Sequence, residues 1–495
     1  MNPLSRPLRI CVLHSSYERS AAPFAEHDPV ASPARYAPEH TWRVEGIHKA
    51  TAVAQLRSLV QEGFDLFVNL CDGAWDEDRA GIEVVQTLER LGQAFTGATS
   101  PFYEPSRETM KRVCHYAGIG TPGFTFAHAP ADAERALAHL RFPMIVKHPS
   151  SYGSIGMGRD ARCTTPTELR ALVERNLAAY GGALIEEFIE GREFTVLVAE
   201  PGPGEAVPRT WAPVEFTFPP GESFKHFDLK WRDWQGMHTL PVTEPELDAR
   251  LRADAQAFFT AIGGTGYGRC DVRMDAEGRL YTLEINPNCG IFYPEEAFGS
   301  ADFILGLEPG GHRAFLEHIL AGALRGQAAR QPPSAVRFHP ARGYELVATR
   351  DLPEGAMVQP GEERPHFLVS RRHVEARWGT QAQRWFGQYA WPLTDGVSVM
   401  WSDRPEDWQP INHSCDPNCW LHGLDLVSRR AIPTGEALTM DYASFCGPDM
   451  TPFNCACGSA SCRGVVRGGD ALRPEVVAAL GDHVSDYVRR WRANG

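Results

Sequence analysis

The chain has 495 residues, 43% of them hydrophobic and 22% charged, a globular composition too long for one core, so two to four domains are expected. Acidic residues outnumber basic ones, 62 to 49, and the formal net charge of −13 disfavours a nucleic-acid partner. No run of about 18 apolar residues marks a membrane span and no secretory leader pattern follows Met1, so a cytoplasmic location is expected.

Arg9 to Leu13 and Leu66 to Leu70 read as short buried strands around a helix-like stretch from Ile47 to Glu62, a small α/β domain over 1–103. Ser106 to Ala117 has helical spacing and stops at Gly118. A strand, Pro143 to Lys147, runs into a Ser/Gly-rich loop, Ser150 to Gly158, whose N–H groups can fold over phosphates. A helix around Thr167 to Tyr180 follows, then strands at Ala183 to Glu187 and Glu193 to Val198. Gly268 to Met274 and Leu280 to Asn286 form a hairpin through Asp275 to Gly278. On a two-residue period Glu284 and Asn286 share a face and, with Asp271, present hard oxygens suited to magnesium. A helix from about Ala314 to Leu324 ends the region 104–324, and 325–335 reads as a linker.

Only five lysines, Lys49, Lys111, Lys147, Lys225 and Lys230, stand against 44 arginines. A lysine is a compact point charge suited to phosphate, so lysines kept in such a chain are candidate phosphate ligands.

Beyond the linker come short strands, glycine turns and cysteines, closed by an amphipathic stretch from Pro474 to Arg492. Six of the twelve cysteines crowd between Cys415 and Cys462, which favours a local metal site over a disulfide framework. Cys455, Cys457 and Cys462, at C-x-C-x4-C spacing, supply three ligands of a tetrahedral zinc site, and the Asn412 to Cys419 segment offers the fourth.

Taken in order, the first set of segments resembles the ATP-grasp superfamily, in its D-alanine:D-alanine ligase branch, over roughly residues 8–310. Glu77-Asp78 after Val68-Asn69-Leu70 is similar to that branch's N-terminal loop. The resemblance implies an ATP-dependent carboxylate–amine ligase working through an acyl phosphate. It places Lys147 on the ATP phosphates and Ser150, Ser151, Gly153 and Ser154 in the loop covering them. Glu186, Glu187 and Ile189 fall on the adenine-contacting linker, Glu193 on the ribose, and Lys230, in Asp228-Leu229-Lys230-Trp231, on the γ-phosphate. Asp271, Glu284 and Asn286 fall on magnesium positions, and Arg269 and Gly290 where oxyanion charge develops. Arg107 stands where the branch usually carries another ATP-contacting lysine. The loop Ser15 to Ser20 matches only loosely, so amino-acid specificity does not carry over.

The second set, Asn412-His413-Ser414-Cys415, Gly435 to Tyr442 and the clustered cysteines, resembles a SET-domain lysine methyltransferase with a post-SET zinc cluster, over about 336–466, followed by a helical tail over 467–495. The resemblance implies zinc on Cys415, Cys455, Cys457 and Cys462, with Cys419 spare. It implies S-adenosylmethionine at Arg342, Gly343, Tyr344, Asn412 and His413, and Tyr442 bordering the methyl-transfer channel. Glu345 replaces the second glycine of the cofactor loop. The insert between Phe367 and Asp407, rich in Trp and Tyr, is unlike that of histone-directed members.

The expected fold is multidomain, α/β plus α+β: an N-terminal ATP-grasp region of three subdomains, then a mainly-β SET domain with a post-SET zinc site. ATP, Mg2+, S-adenosylmethionine and Zn2+ are the expected cofactors. Expected partners are small-molecule amino acid or peptide substrates, with no nucleic acid and no membrane; a homodimer is a compatible assembly. Two readings stand beside a bifunctional enzyme: a protein-lysine methyltransferase with an ATP-grasp-like recognition domain, and a ligase with a non-catalytic SET binding module.

Overall fold

The computed structural model describes residues 4, 6–18, 30–75, 77–150, 156–231, 236–330, 332–340, 343–361, 366–401 and 409–494. They form two compact units, Met1–Arg330 and Gln331–Gly495.

Three sheets make the first unit. Strands β1 (Arg9–Ser15), β2 (Thr41–Ile47) and β3 (Leu66–Asn69) are parallel, in the order β2-β1-β3. The fully buried runs Ile10 to Leu13 and Leu66 to Asn69 are what a parallel sheet covered on both faces requires. Strand β2 has no apolar run to announce it. Because Ile47 closes β2 and a 3-10 turn spans Lys49–Thr51, the following helix starts at Ala52, not at Ile47 as its apolar spacing suggests.

Strands β4 (Phe124–Ala127), β5 (Met144–Lys147), β6 (Arg162–Cys163) and β7 (Ala183–Glu187) form the second sheet, ordered β4-β7-β5-β6. The helix Pro166–Tyr180 covers it with Leu169, Leu172 and Val173. A Thr165/Glu168 capping box with Pro166 in the first turn starts that helix, and left-handed Gly181 (φ 71°) ends it.

The third sheet holds β8 (Arg192–Ala199), β9 (Arg209–Thr210), β10 (Val214–Thr217), β11 (His238–Pro241), β12 (Tyr267–Met274) and β13 (Leu280–Pro287), ordered β11-β10-β8-β12-β13 with β9 on β8. Phe194, Val196, Cys270, Val272 and Ile285 share an apolar cluster with Phe258 and Phe259 of the helix Pro245–Ala261. Residues of opposite parity are left for the site.

The segment 325–335 is not a free linker. Helix Gly311–Arg330 continues through most of it, and the next strand begins at Ser334. Alanine-rich sequence favours that continuation, Leu316, Ile319, Leu320 and Ala323 bury its inner face, and Gln327 and Arg330 donate to the carbonyls of Gly92 and Gln93.

In the second unit, β14 (Ser334–His339) and β15 (Gly343–Ala348) form an antiparallel hairpin, and Leu346, Val358, Leu421, Leu426, Leu438 and Met440 belong to its main core. The insert carries strands His366–Ser370, Trp391–Thr394 and Val397–Trp401 and helices Arg371–Arg377 and Thr380–Tyr389, around a cluster of its own with Val369, Val374, Phe386 and Met400. Gly481 splits the amphipathic stretch into helices Pro474–Leu480 and Asp486–Asn494, and Val476, Leu480 and Val488 pack in one cluster with Ala443. No described helix is long and apolar enough to cross a membrane.

Candidate active sites

Strand register assembles the first site. Thr195 of β8 lies opposite Asp271 of β12, and across β12 and β13 Asp271 faces Glu284 while Arg269 faces Asn286. Thr195 Oγ1 donates to Asp271 Oδ1 at 2.7 Å, Arg269 reaches both Asp271 oxygens at 3.1 Å, and Asn286 Nδ2 donates to Oδ2 at 3.2 Å. Burial alone would raise the Asp271 carboxyl; Arg269 and then Lys225 overcome it and hold it well below the usual carboxylate range. Glu284 pairs with Arg107.

These groups line a cavity of about 480 Å3. Elsewhere on its wall, Glu186 is only 1% exposed and sits between Lys111 at 2.5 Å and Lys147 at 2.6 Å. Burial would raise its carboxyl, yet Lys111 and Lys147 bring it down to about 2, so it stays ionised and fixes both ammonium groups. Lys230 is pushed down to about 8 by desolvation, then by Arg269 and Lys225. A cation held among cations in a cavity suits an anionic ligand. Glu193 is shared between Lys225 and Arg273, each at 3.2 Å.

The second site joins backbone segments distant in sequence. Cys415, Cys455, Cys457 and Cys462 place their Sγ atoms within 4.8 Å of one another, and the Cys415 and Cys455 sulfurs are 3.9 Å apart. A tetrahedron with Zn–S of about 2.3 Å has edges of about 3.8 Å, so the four thiols fit zinc. Cys419 is fully buried outside that set. His413 Nδ1 accepts the Tyr442 N–H at 3.1 Å, which leaves the proton on Nε2, 3.3 Å from Cys415 Sγ. Burial holds this ring down at about 4, hence neutral at pH 7. Asn412 Nδ2 donates to the Tyr344 carbonyl at 3.2 Å, and Tyr442 Oη donates to the Ile411 carbonyl at 2.8 Å. Phe445 and Phe453 stand 5.5 and 5.8 Å from the Tyr442 ring.

A family model for the D-ala D-ala ligase C-terminus matches residues 113–293, and a SET domain model matches residues 343–443. The chain joins an ATP-grasp ligase domain to a SET domain. It is similar to the D-alanine–D-alanine ligase of Cupriavidus necator, 29% identical over 239 residues, 47% of this chain and 69% of that ligase. The corresponding ligase of Ectopseudomonas mendocina is 29% identical over 235 residues, 47% of this chain and 70% of that ligase. The crystal structure of D-alanine–D-alanine ligase from Bacillus anthracis complexed with ATP aligns with 66% of this chain and 99% of its own length, at 19% identity and a TM-score of 0.48.

In the ATP-grasp unit, Arg107, Lys147, Glu186, Glu187, Ile189, Glu193, Lys230, Arg269, Asp271, Glu284, Asn286 and Gly290 all line the one cavity. Ser150 does not: its N–H donates to His148 Nδ1 at 3.1 Å. Ser151, Gly153 and Ser154, and Arg342 of the SET unit, lie outside the described residues. Gly343 has the positive φ of 74° that favours glycine. Glu345 lies across the β14–β15 hairpin from Arg337, is 1% exposed and pairs with it at 2.7 Å.

Three partners escaped the sequence reading. Lys111 stands out only as one of five lysines. Arg273 looks like a routine strand arginine. Arg463, directly after the last cysteine of the thiol cluster, clamps both Asp441 oxygens at 2.7 Å and Asp470 at 3.1 Å, and its backbone N–H points at Cys415 Sγ at 3.4 Å. It thereby links the thiol cluster to the residue before Tyr442.

Proposed function

We propose that the chain is bifunctional: an ATP-dependent carboxylate–amine ligase in its first unit and an S-adenosylmethionine-dependent amine N-methyltransferase in its second. The observation that carries the ligase reading is the polar face of β8, β12 and β13, with Lys147 and Lys230, lining one cavity. Lys147 and Lys230 supply positive charge for phosphate oxygens. Asp271, Glu284 and Asn286 would hold magnesium, whose chemistry is to neutralise phosphate charge as the phosphoryl group moves to the substrate carboxylate. Arg269 and the backbone at Gly290 face the oxygen that becomes negative when an amine attacks the activated carbonyl.

In the SET unit, Asn412, His413 and the Tyr344 backbone would hold S-adenosylmethionine, which supplies an electrophilic methyl group. Because the Tyr442 hydroxyl gives its proton to Ile411, its oxygen keeps lone pairs for the incoming groups. The aromatic wall of Phe445 and Phe453 keeps the acceptor amine desolvated, so alignment drives the transfer. Glu345 turns its carboxylate to Arg337, which supports a competent cofactor loop over a purely structural module. A small amine is the acceptor favoured here, since none of the five lysines of the chain is exposed.

Lys230→Ala or Glu284→Gln abolishes ADP formation driven by amino acids in otherwise folded protein. Unchanged ADP formation in both variants overturns the ligase reading. With methyl-labelled S-adenosylmethionine, ATP and amino acids, label appears in small molecules; label confined to the protein band overturns the small-amine acceptor.

A further inference from the structure

A second, smaller chamber of about 240 Å3 adjoins the ligase cavity, and Asp72, Asn288, Cys289, Gly290 and Tyr293 line both. Much of its remaining wall is apolar: Tyr17, Val30, Ala31, Val44, Leu70 and Ile291. Among the described residues, Asp72 is the one acidic or basic side chain on that wall apart from His14. Two clamps hold the loop that presents it. Arg79 pairs with Asp72 at 2.6 Å and with Glu77 at 2.7 Å, and Lys49 Nζ donates to the carbonyls of Ala74, Trp75 and Glu77 at 2.9, 3.0 and 2.6 Å. His14 Nε2 is buried and has no hydrogen-bond partner among the described residues. Burial lowers the ring's pKa, so it faces the chamber uncharged.

The ligase reading fixes how a substrate meets this chamber. A carboxylate carbon has three substituents. One oxygen faces the phosphate-side cations Lys147 and Lys230. The other faces Arg269 and Gly290. The third bond, to Cα, would then lead past Gly290, which lines both spaces. We propose that this chamber receives the side chain of the amino acid whose carboxylate is activated, and that it selects a large, uncharged side chain carrying one hydrogen-bonding group, as in tyrosine or glutamine. The α-ammonium lies toward Asp72. This inference rests on the ligase reading and names its acyl substrate.

Size and polarity both point this way. A space of 240 Å3 corresponds to about eight waters at about 30 Å3 each, and an alanine methyl fills only a small part of it. Each methylene gained in an apolar pocket raises kcat/KM by about tenfold or more. A buried ring nitrogen left without a partner is costly, so a ligand group that bonds His14 is favoured over one that does not. A charged side chain would lose its water against Ala31 and Ile291, the buried part of that wall.

The experiment measures ADP formation with the full-length protein and a panel of alanine, leucine, phenylalanine, tyrosine, glutamine, lysine and glutamate in both enantiomers. Wild type is compared with Gly46→Leu. Gly46 lies on the chamber wall, and a Cβ there meets only Ser16, at 3.7 and 4.0 Å, so a leucine adds bulk at that wall without a backbone clash. In wild type the best large neutral substrate exceeds alanine at least tenfold in kcat/KM, and Gly46→Leu lowers that ratio at least tenfold. His14→Leu lowers the preference for tyrosine over phenylalanine. Alanine, lysine or glutamate matching the large neutral amino acids in wild type overturns the proposal and leaves the ligase reading intact. So does a ratio unmoved in folded Gly46→Leu. ADP formation with no amino acid at all overturns the ligase reading and this inference with it.

Discussion

In the ATP-grasp unit the site charges sit on eight-residue strands such as Tyr267–Met274 and Leu280–Pro287, whose backbone ladder sets their register. In the SET unit, Asn412–His413 and Thr439–Met440 are strands of two residues each, pinned through His413 and Arg463 to four gathered thiols. The first site is organised by sheet pairing and by charges that neutralise one another: Asp271 with Arg269, Glu284 with Arg107, Glu186 with two lysines. The second has little backbone ladder of its own and gathers instead around four thiols that could hold a metal. A preformed electrostatic site and one that a metal on the thiols would organise therefore share a chain, and they should fail under different insults.

The largest effect expected from this contrast is that of metal removal. Structural zinc contributes roughly 10–16 kcal/mol in small zinc-bound peptides. Chelation therefore strips hydrogen-exchange protection from residues 412–466 while residues 192–287 keep theirs. Protection retained over 412–466 after verified zinc loss would break the contrast.

The reverse insult is Lys111→Met. It removes one of two ammonium partners from a carboxylate buried to 1% exposure, and losing one partner of a buried ion pair costs about 3–5 kcal/mol. Urea unfolding of the ATP-grasp unit should shift to lower denaturant by that amount, with exchange over 412–466 unaltered. A shift below 1 kcal/mol, on the order of a surface pair, would remove Lys111 from the account.

The mildest test is acid. Glu186 titrates at about 2 when folded against an ordinary 4.5, so its stabilising contribution is complete above 4.5 and is lost as pH falls through 2. Glu186→Gln should make the stability of the ATP-grasp unit fall less steeply over that window, read as the change in urea midpoint with pH. An identical slope in the variant would show that other carboxylates govern acid unfolding.

Much of both sites was legible from local pattern. Glu284 and Asn286 were readable because a two-residue period puts them on one face, whereas the register shift at Asp271/Val272 that brings Asp271 opposite Glu284 is not encoded by the turn at Asp275 to Gly278. The thiol set was readable from the C-x-C-x4-C spacing and the Asn412 to Cys415 segment. Strand β2 was missed because its alternation, Trp42 and Val44 against Arg43 and Glu45, is short and stops at Gly46. The extent of helix Gly311–Arg330 was missed because glutamine, alanine and arginine read equally well as a linker.

Local pattern along the chain specifies which chemical groups are present and their order: lysines suited to phosphate, a carboxylate hairpin, a cysteine cluster, and motifs of two families. Which of them meet follows from the packing of distant elements. Lys111 reaches Glu186, far along the chain, because helix Arg107–Ala117 and strand β7 bring them together. The chamber beside Gly290 is walled by His14, Gly46, Asp72 and Ile291 from four separate segments. Such contacts depend on packing between elements far apart in the chain, and no local spacing encodes where two distant surfaces will close on a cavity.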